Sequence, residues 1–247
     1  MFLSNRTNNP FLRRGFPSGT TRPTFAADRM TVEGTINKTG ILLVVLLLGA
    51  LYPWTHPVPA LDTGCMLTGL IGGFVLAIIT SFKAQWSAAL APPYALLEGL
   101  ALGGLSALFE LRYPGIAIES VLLTFATLGI MLVAYRTGLI HVTQRFRTTV
   151  FAATGAIALL YFMLFVLSFF HISMSFISAP TPLGIVISLV IIVVAALNLA
   201  LDFDMIENGA RNGAPRYMEW YSSFALIVTL VWLYMEILRL VTQLRRE

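Results

Sequence analysis

Charged side chains are scarce in this sequence: 11% of its 247 residues are Asp, Glu, Lys or Arg. Soluble domains average about 25%. Too little polar surface is present to coat a water-soluble particle, which excludes soluble enzymes and nucleic-acid-binding modules. The formal net charge of +4 reflects where Lys and Arg sit around membrane spans and is no nucleic-acid footprint. Cysteine is all but absent. Cys65, alone, forms no internal disulfide and asks for no oxidising compartment. Catalytic signatures are missing as well: there is no His-Glu-x-x-His, no phosphate-cradling Gly-x-x-x-x-Gly-Lys and no paired-cysteine motif. Ser106, in Gly103-Gly104-Leu105-Ser106, has no histidine inside another span to activate it. His56, His141 and His171 fall in or beside loops without an i, i+4 partner, which argues against a metal site. The expectation is a protein that is neither an enzyme nor a holder of an organic cofactor.

What is abundant is apolar. Hydrophobic residues make up 57% of the chain, and the mean hydropathy is +0.81. Residues 1–31 are the exception, rich in Asn, Thr, Ser, Gly and Pro and carrying Arg6, Arg13, Arg14, Arg22 and Arg29. No apolar run of signal-peptide length follows those charges. The stretch reads as a flexible basic cytoplasmic arm that lacks the apolar surface to order itself. From residue 32 to 247 a single domain of seven spans is expected, over about 39–54, 64–82, 93–109, 116–135, 149–170, 182–203 and 220–240. Each run is close to the length needed to cross the hydrocarbon core at about 1.5 Å per residue. The first ends at Tyr52-Pro53-Trp54, where aromatics suit the interface and proline stops the helix. The fold class is therefore all-α, a seven-helix membrane bundle. Gly69 with Gly73, and Gly99 with Gly103, stand four apart and permit close helix packing, within one chain or across a dimer.

With the N-terminus in the cytoplasm, twelve Lys and Arg fall inside and Arg112, Arg239, Arg245 and Arg246 outside. That asymmetry favours an inside N-terminus. A re-entrant last segment would change the tally to fifteen against one. Seven spans are kept because the last run is long enough to cross.

Charges inside the spans carry the functional information, since an ionised group at the bilayer centre costs on the order of 3 kcal/mol or more. Glu98 lies five residues past Pro93, about 8 Å in from the inner end of the third span. Asp202 and Asp204 stand at the inner end of the sixth span, and Asn198 shares a helix face with Asp202. Glu219 opens the seventh span and Lys83 closes the second on the same side. These residues are the candidate gating and cation-binding group. Asp204, Glu207 and Glu219 read equally well as solvated interfacial charges with Arg211 and Arg216 as partners. Glu236 and Arg239 sit about 25 Å along the last helix from Glu219 and pair as a structural anchor.

Three boxes carry a family likeness: Asp28-Arg-Met-Thr-Val-Glu-Gly-Thr-Ile-Asn-Lys-Thr39, Leu201-Asp-Phe-Asp-Met-Ile-Glu207 and Tyr217-Met-Glu-Trp-Tyr221. They resemble the bacterial Bax inhibitor-like proteins, the YccA-like branch of the transmembrane Bax-inhibitor-motif superfamily. The resemblance implies a bundle whose last helix is central. It also implies a pH-sensitive calcium leak controlled by acids on the sixth and seventh helices, with calcium as permeant or ligand, and a basic latch at the inner end of the second helix. Asp202 matches the sixth-helix acid and Lys83 the position of the latch. Leu233-Tyr-Met-Glu236 is similar to the family's seventh-helix string, although it puts Glu236 at the opposite membrane face. Glu219 has the matching depth, and Glu98 is the third candidate partner for Asp202. The function expected is a cation leak channel of the bacterial cytoplasmic membrane, with the lipid bilayer and cations as partners and no nucleic acid. The alternative is a non-enzymatic membrane regulator that binds a membrane protease or stress machinery, which the basic arm favours.

Overall fold

The computed structural model describes residues 29–55, 59–170 and 181–245. The basic arm up to residue 28, His56 and His171 lie outside the described residues. Seven helices long and apolar enough to span a membrane follow one another: α1 (Val32–Thr55), α2 (Pro59–Phe82), α3 (Ser87–Glu110), α4 (Ile116–Arg136), α5 (Gln144–Phe169), α6 (Pro182–Arg211) and α7 (Tyr217–Leu244). A short 3₁₀ turn, Ala84–Trp86, joins α2 to α3.

The helices begin where local chemistry can satisfy free backbone N–H groups. The Thr143 hydroxyl accepts from Phe146 N at the start of α5, and Thr181 accepts from Gly184 N ahead of Pro182 at the start of α6. The Glu110 carboxylate caps α4 by accepting from the backbone N–H groups of Gly115 and Ala117. Several helices outrun the apolar runs that predict them. α1 takes in the polar turns from Val32 to Lys38, and α6 continues to Arg211. α3 begins at Ser87 and runs through Pro92 and Pro93. Pro92 and Pro93 stand past the first four residues of the helix, so each forfeits one helical hydrogen bond, to the carbonyls of Ala88 and Ala89.

α7 is the centre of the bundle. Of its most apolar stretch, 61% is buried, against 11% for α5 and 17% for α1 and α2. Leu233 and Ile227 are wholly enclosed, and Leu238 and Ile237 nearly so. α1, α3, α4 and α6 pack directly on α7, whereas α2 packs on α3 and α5 on α6. Backbones approach closely where α1 crosses α3: a Cβ at Gly99 would lie 2.1 Å from the Leu46 carbonyl oxygen. Gly69, Gly73 and Gly103 likewise face other helices of this same chain. Leu, Ile, Val and Phe side chains cover the outside at α2, α5 and the outer faces of α1, α4 and α6, the surface that lipid tails would meet.

Candidate functional site

The connectivity sets two ends. One, here the near end, holds the start of α1, the end of α2, the α4–α5 and α6–α7 turns; the far end holds the start of α4 and the end of α7. The acids that the sequence groups together are distributed over separate helix interfaces.

Glu219, in the first turn of α7, is 3% exposed. Its carboxylate forms an ion pair with Lys38 of α1 and accepts from Thr31 N at 2.8 Å and Thr31 Oγ1 at 2.9 Å. Thr31 also caps α1 by accepting from Gly34 N. Gly34 is required for this contact, since a Cβ there would sit 2.3 Å from a carboxylate oxygen of Glu219. Ser223 donates to the Thr35 carbonyl, and the Lys38 ammonium lies 5.6 Å from the centre of the Trp220 ring. Arg29 bridges to Pro215, and Met30 N donates to Ala214 O at 2.7 Å. The chain ahead of α1 is thereby tied to the α6–α7 turn.

Lys83 takes no part in this. It is exposed beyond α2 and caps the 3₁₀ turn. The cation at Glu219 is Lys38. An ammonium two turns inside α1 reaches the start of α7, whereas Lys83 is exposed, although the 3₁₀ turn that follows it packs on α7.

Asp202 faces a different interface. It lies within α6, half-buried, with Thr229 of α7 beside its carboxylate and Oδ2 buried without a hydrogen-bond partner. Among the described residues no second carboxylate acts on it. Asn198, one turn away, donates to Thr154 Oγ1 of α5 at 2.8 Å and to the Val194 carbonyl. Asp204 accepts from Arg147 of α5 at 2.6 Å; Glu207 accepts from the Tyr135 hydroxyl at 2.6 Å and pairs with Arg211. Glu98 stands elsewhere, on α3, against Gly73 of α2 and beside Tyr94 of its own helix. It therefore lies on the α2–α3 interface and Asp202 on the α6–α7 interface. Glu236, 1% exposed, accepts from Tyr161 of α5 at 2.8 Å, from Trp232 Nε1 at 3.2 Å and from Arg239 at 2.9 Å. Among the described residues no three His, Cys, Asp or Glu side chains converge as metal ligands. Ser106 is hydrogen-bonded to Tyr234 at 2.6 Å, and His141 is exposed on its loop.

A family model described as Bax inhibitor 1 like matches residues 8–246. The chain belongs to that family. Searches of curated proteins and of solved structures return no match. For this Bax inhibitor 1-like protein, hydropathy and depth single out Asp202 and Glu219 but pass over Lys38, Thr31, Thr229 and Tyr161. A signal for two of these four was nonetheless present. Ser222, Thr229, Glu236 and Gln243 recur every seven residues on α7, and Arg147, Thr154 and Tyr161 do so on α5. Such a spacing keeps polar groups on one face of a helix.

Proposed function

We propose that this Bax inhibitor 1-like protein is a pH-sensitive cation leak pathway of a bacterial cytoplasmic membrane, without enzymatic activity, with calcium as its cargo and Asp202 as its gating group. The observation that carries the reading is the buried, unpartnered Oδ2 of Asp202 at the α6–α7 interface. A bare carboxylate in a span is costly, on the order of 3 kcal/mol or more, so it demands a proton, a cation or water. Protonated, Asp202 is neutral and the helices close on it. Ionised, it offers oxygen ligands beside the Thr229 hydroxyl, the donor type that a hard cation prefers. The Lys38–Glu219 pair supports a second closure at the near end, because it ties the start of α1 to the start of α7 and occupies the carboxylate that a cation would need. The twelve-to-four charge asymmetry supports an inside near end.

Calcium-dye flux in proteoliposomes at about pH 6 and about pH 8 tests the reading. The wild-type protein should leak differently at the two values, and Asp202→Asn, which keeps size and hydrogen bonding, should abolish the difference. A pH response that survives in Asp202→Asn would move the gate elsewhere.

A second reading, a non-enzymatic regulator that binds a membrane protease or stress machinery, is favoured by the contacts of Arg29 and Met30 with the α6–α7 turn. A partner gripping the basic residues ahead of them would pull directly on the turn that leads to Glu219. Deleting residues 1–28 should then abolish co-purification of such a protease and leave the flux unchanged.

A further inference from the structure

Polar groups in membrane bundles commonly serve as glue between helices, and as glue they are satisfied. The face of α7 turned toward α5 and α6 departs from this. Ser222, Thr229, Glu236 and Gln243 lie on it at seven-residue intervals, together spanning about 31 Å of helix axis. That is close to the thickness of a hydrocarbon core, about 30 Å. α6 adds Asp202 beside Thr229, and Ser188, which donates to Gln243 Oε1 at 2.9 Å. α5 closes the face from outside with polar contacts two turns apart: Arg147 to Asp204, Thr154 to Asn198, and Tyr161 to Glu236 and Arg239. Two buried side-chain polar atoms among the described residues lack a hydrogen-bond partner, Asp202 Oδ2 and Ser222 Oγ, and both lie on this seam. Ser222 is fully buried. Buried polar atoms of this kind are ordinarily satisfied by water.

A cavity lies beside the far end of the seam, on the α3 side of α7. Arg239, Thr242 and Gln243, together with Met235 and Leu238 and with Leu105 and Phe109 of α3, line this largely apolar space of about 280 Å³ between α7 and α3. At roughly 30 Å³ per water it holds several. The Arg239 guanidinium stands between this cavity and Glu236. Turned inward, it neutralises Glu236 and occupies the carboxylate that a cation on the seam would need. Turned into the cavity, it leaves Glu236 as a bare carboxylate in line with Thr229 and Asp202.

We propose that this face of α7 is the route of the permeant cation, hydrated at Ser222 and Asp202, and that Arg239 with Glu236 and Tyr161 is its far-end gate. The proposal rests on the leak reading and adds to it a path and a second gate.

Two measurements test it. The first needs no flux. Single cysteines at Thr229 and Ser222, and at Ile227 as an off-seam position, are placed in a Cys65→Ser background and exposed to a small cationic methanethiosulfonate from the far side. Arg239→Gln should speed modification of Thr229→Cys and Ser222→Cys by about tenfold or more, since thiols react as hydrated thiolates, and should leave Ile227→Cys unchanged. The second is calcium-dye flux, in which Arg239→Gln should raise the resting leak severalfold. Because Arg239→Gln strands a buried carboxylate, the charge-free double variant Glu236→Gln/Arg239→Gln is run beside it, with size-exclusion profiles as the folding control, and should label equally fast. Thr229→Cys reacting at the Ile227→Cys rate in all backgrounds overturns the route. If Asp202→Asn alters the flux and the Arg239 variants do not, the leak stands and the proposed gate falls. If no variant passes calcium yet the seam cysteines label, the leak reading fails, and the cation route fails with it.

Discussion

Glu219 is 3% exposed, and its charge is balanced by the Lys38 ammonium. Breaking a buried pair from one side costs about 3–5 kcal/mol, because the other charge is left uncompensated. Lys38→Met should therefore lower the melting temperature in detergent markedly, whereas Lys38→Met with Glu219→Leu should recover most of the loss. Equal melting temperatures for the single variant and the wild type would mean that Glu219 is solvated after all. The same reasoning separates Lys83 from Lys38. Lys83 is exposed, and surface substitutions of that kind shift stability by less than about 0.5 kcal/mol. Lys83→Met should melt with the wild type. Neither lysine could be told from the other by depth alone, since both lie at the near end. Only the pairing of residues 181 positions apart distinguishes them.

Among the elements, α1 and α3 approach each other with no room for a side chain at Gly99. A Cβ at Gly99 would lie 2.1 Å from the Leu46 carbonyl oxygen, a backbone atom with nowhere to go, whereas one at Gly40 would meet nothing within 4 Å. Gly99→Val should give aggregated or degraded protein by size exclusion, and Gly40→Ala should run as the wild type. A normal Gly99→Val profile would show that the two helices can part. The spans themselves were legible because the bilayer fixes the length of an apolar run. The extra turns of α1 and α3 were not, since polar residues and paired prolines lower the hydropathy of segments that tertiary packing nonetheless holds helical. Asp202 was legible as an acid in an apolar run. Its neighbour was not, because Thr229 is an ordinary residue until α6 lies against it. The seven-residue polar pattern on α7 was visible in the string, but four polar positions dispersed among Leu, Ile and Val vanish in any average over a window.

For the whole molecule, sidedness is open to a direct measurement. Gln243 is buried against Ser188, so Leu244, half exposed in the last turn of α7, is the far-end reporter, with exposed Gln85 for the near end. In intact cells carrying Cys65→Ser, an impermeant maleimide should label Leu244→Cys and spare Gln85→Cys. The reverse pattern would put the near end outside.

The helix that fills the centre is also the last of the seven in chain order. Chains emerge from the ribosome at about 5–20 residues per second, so roughly 10–40 s separate the start of α1 from the start of α7. During that interval α1, and after it α3 and α4, are made without the surface they are shaped to meet, α6 follows only just ahead of α7, and Lys38 lacks Glu219. Assembly is thus a matter of six helices waiting for a seventh.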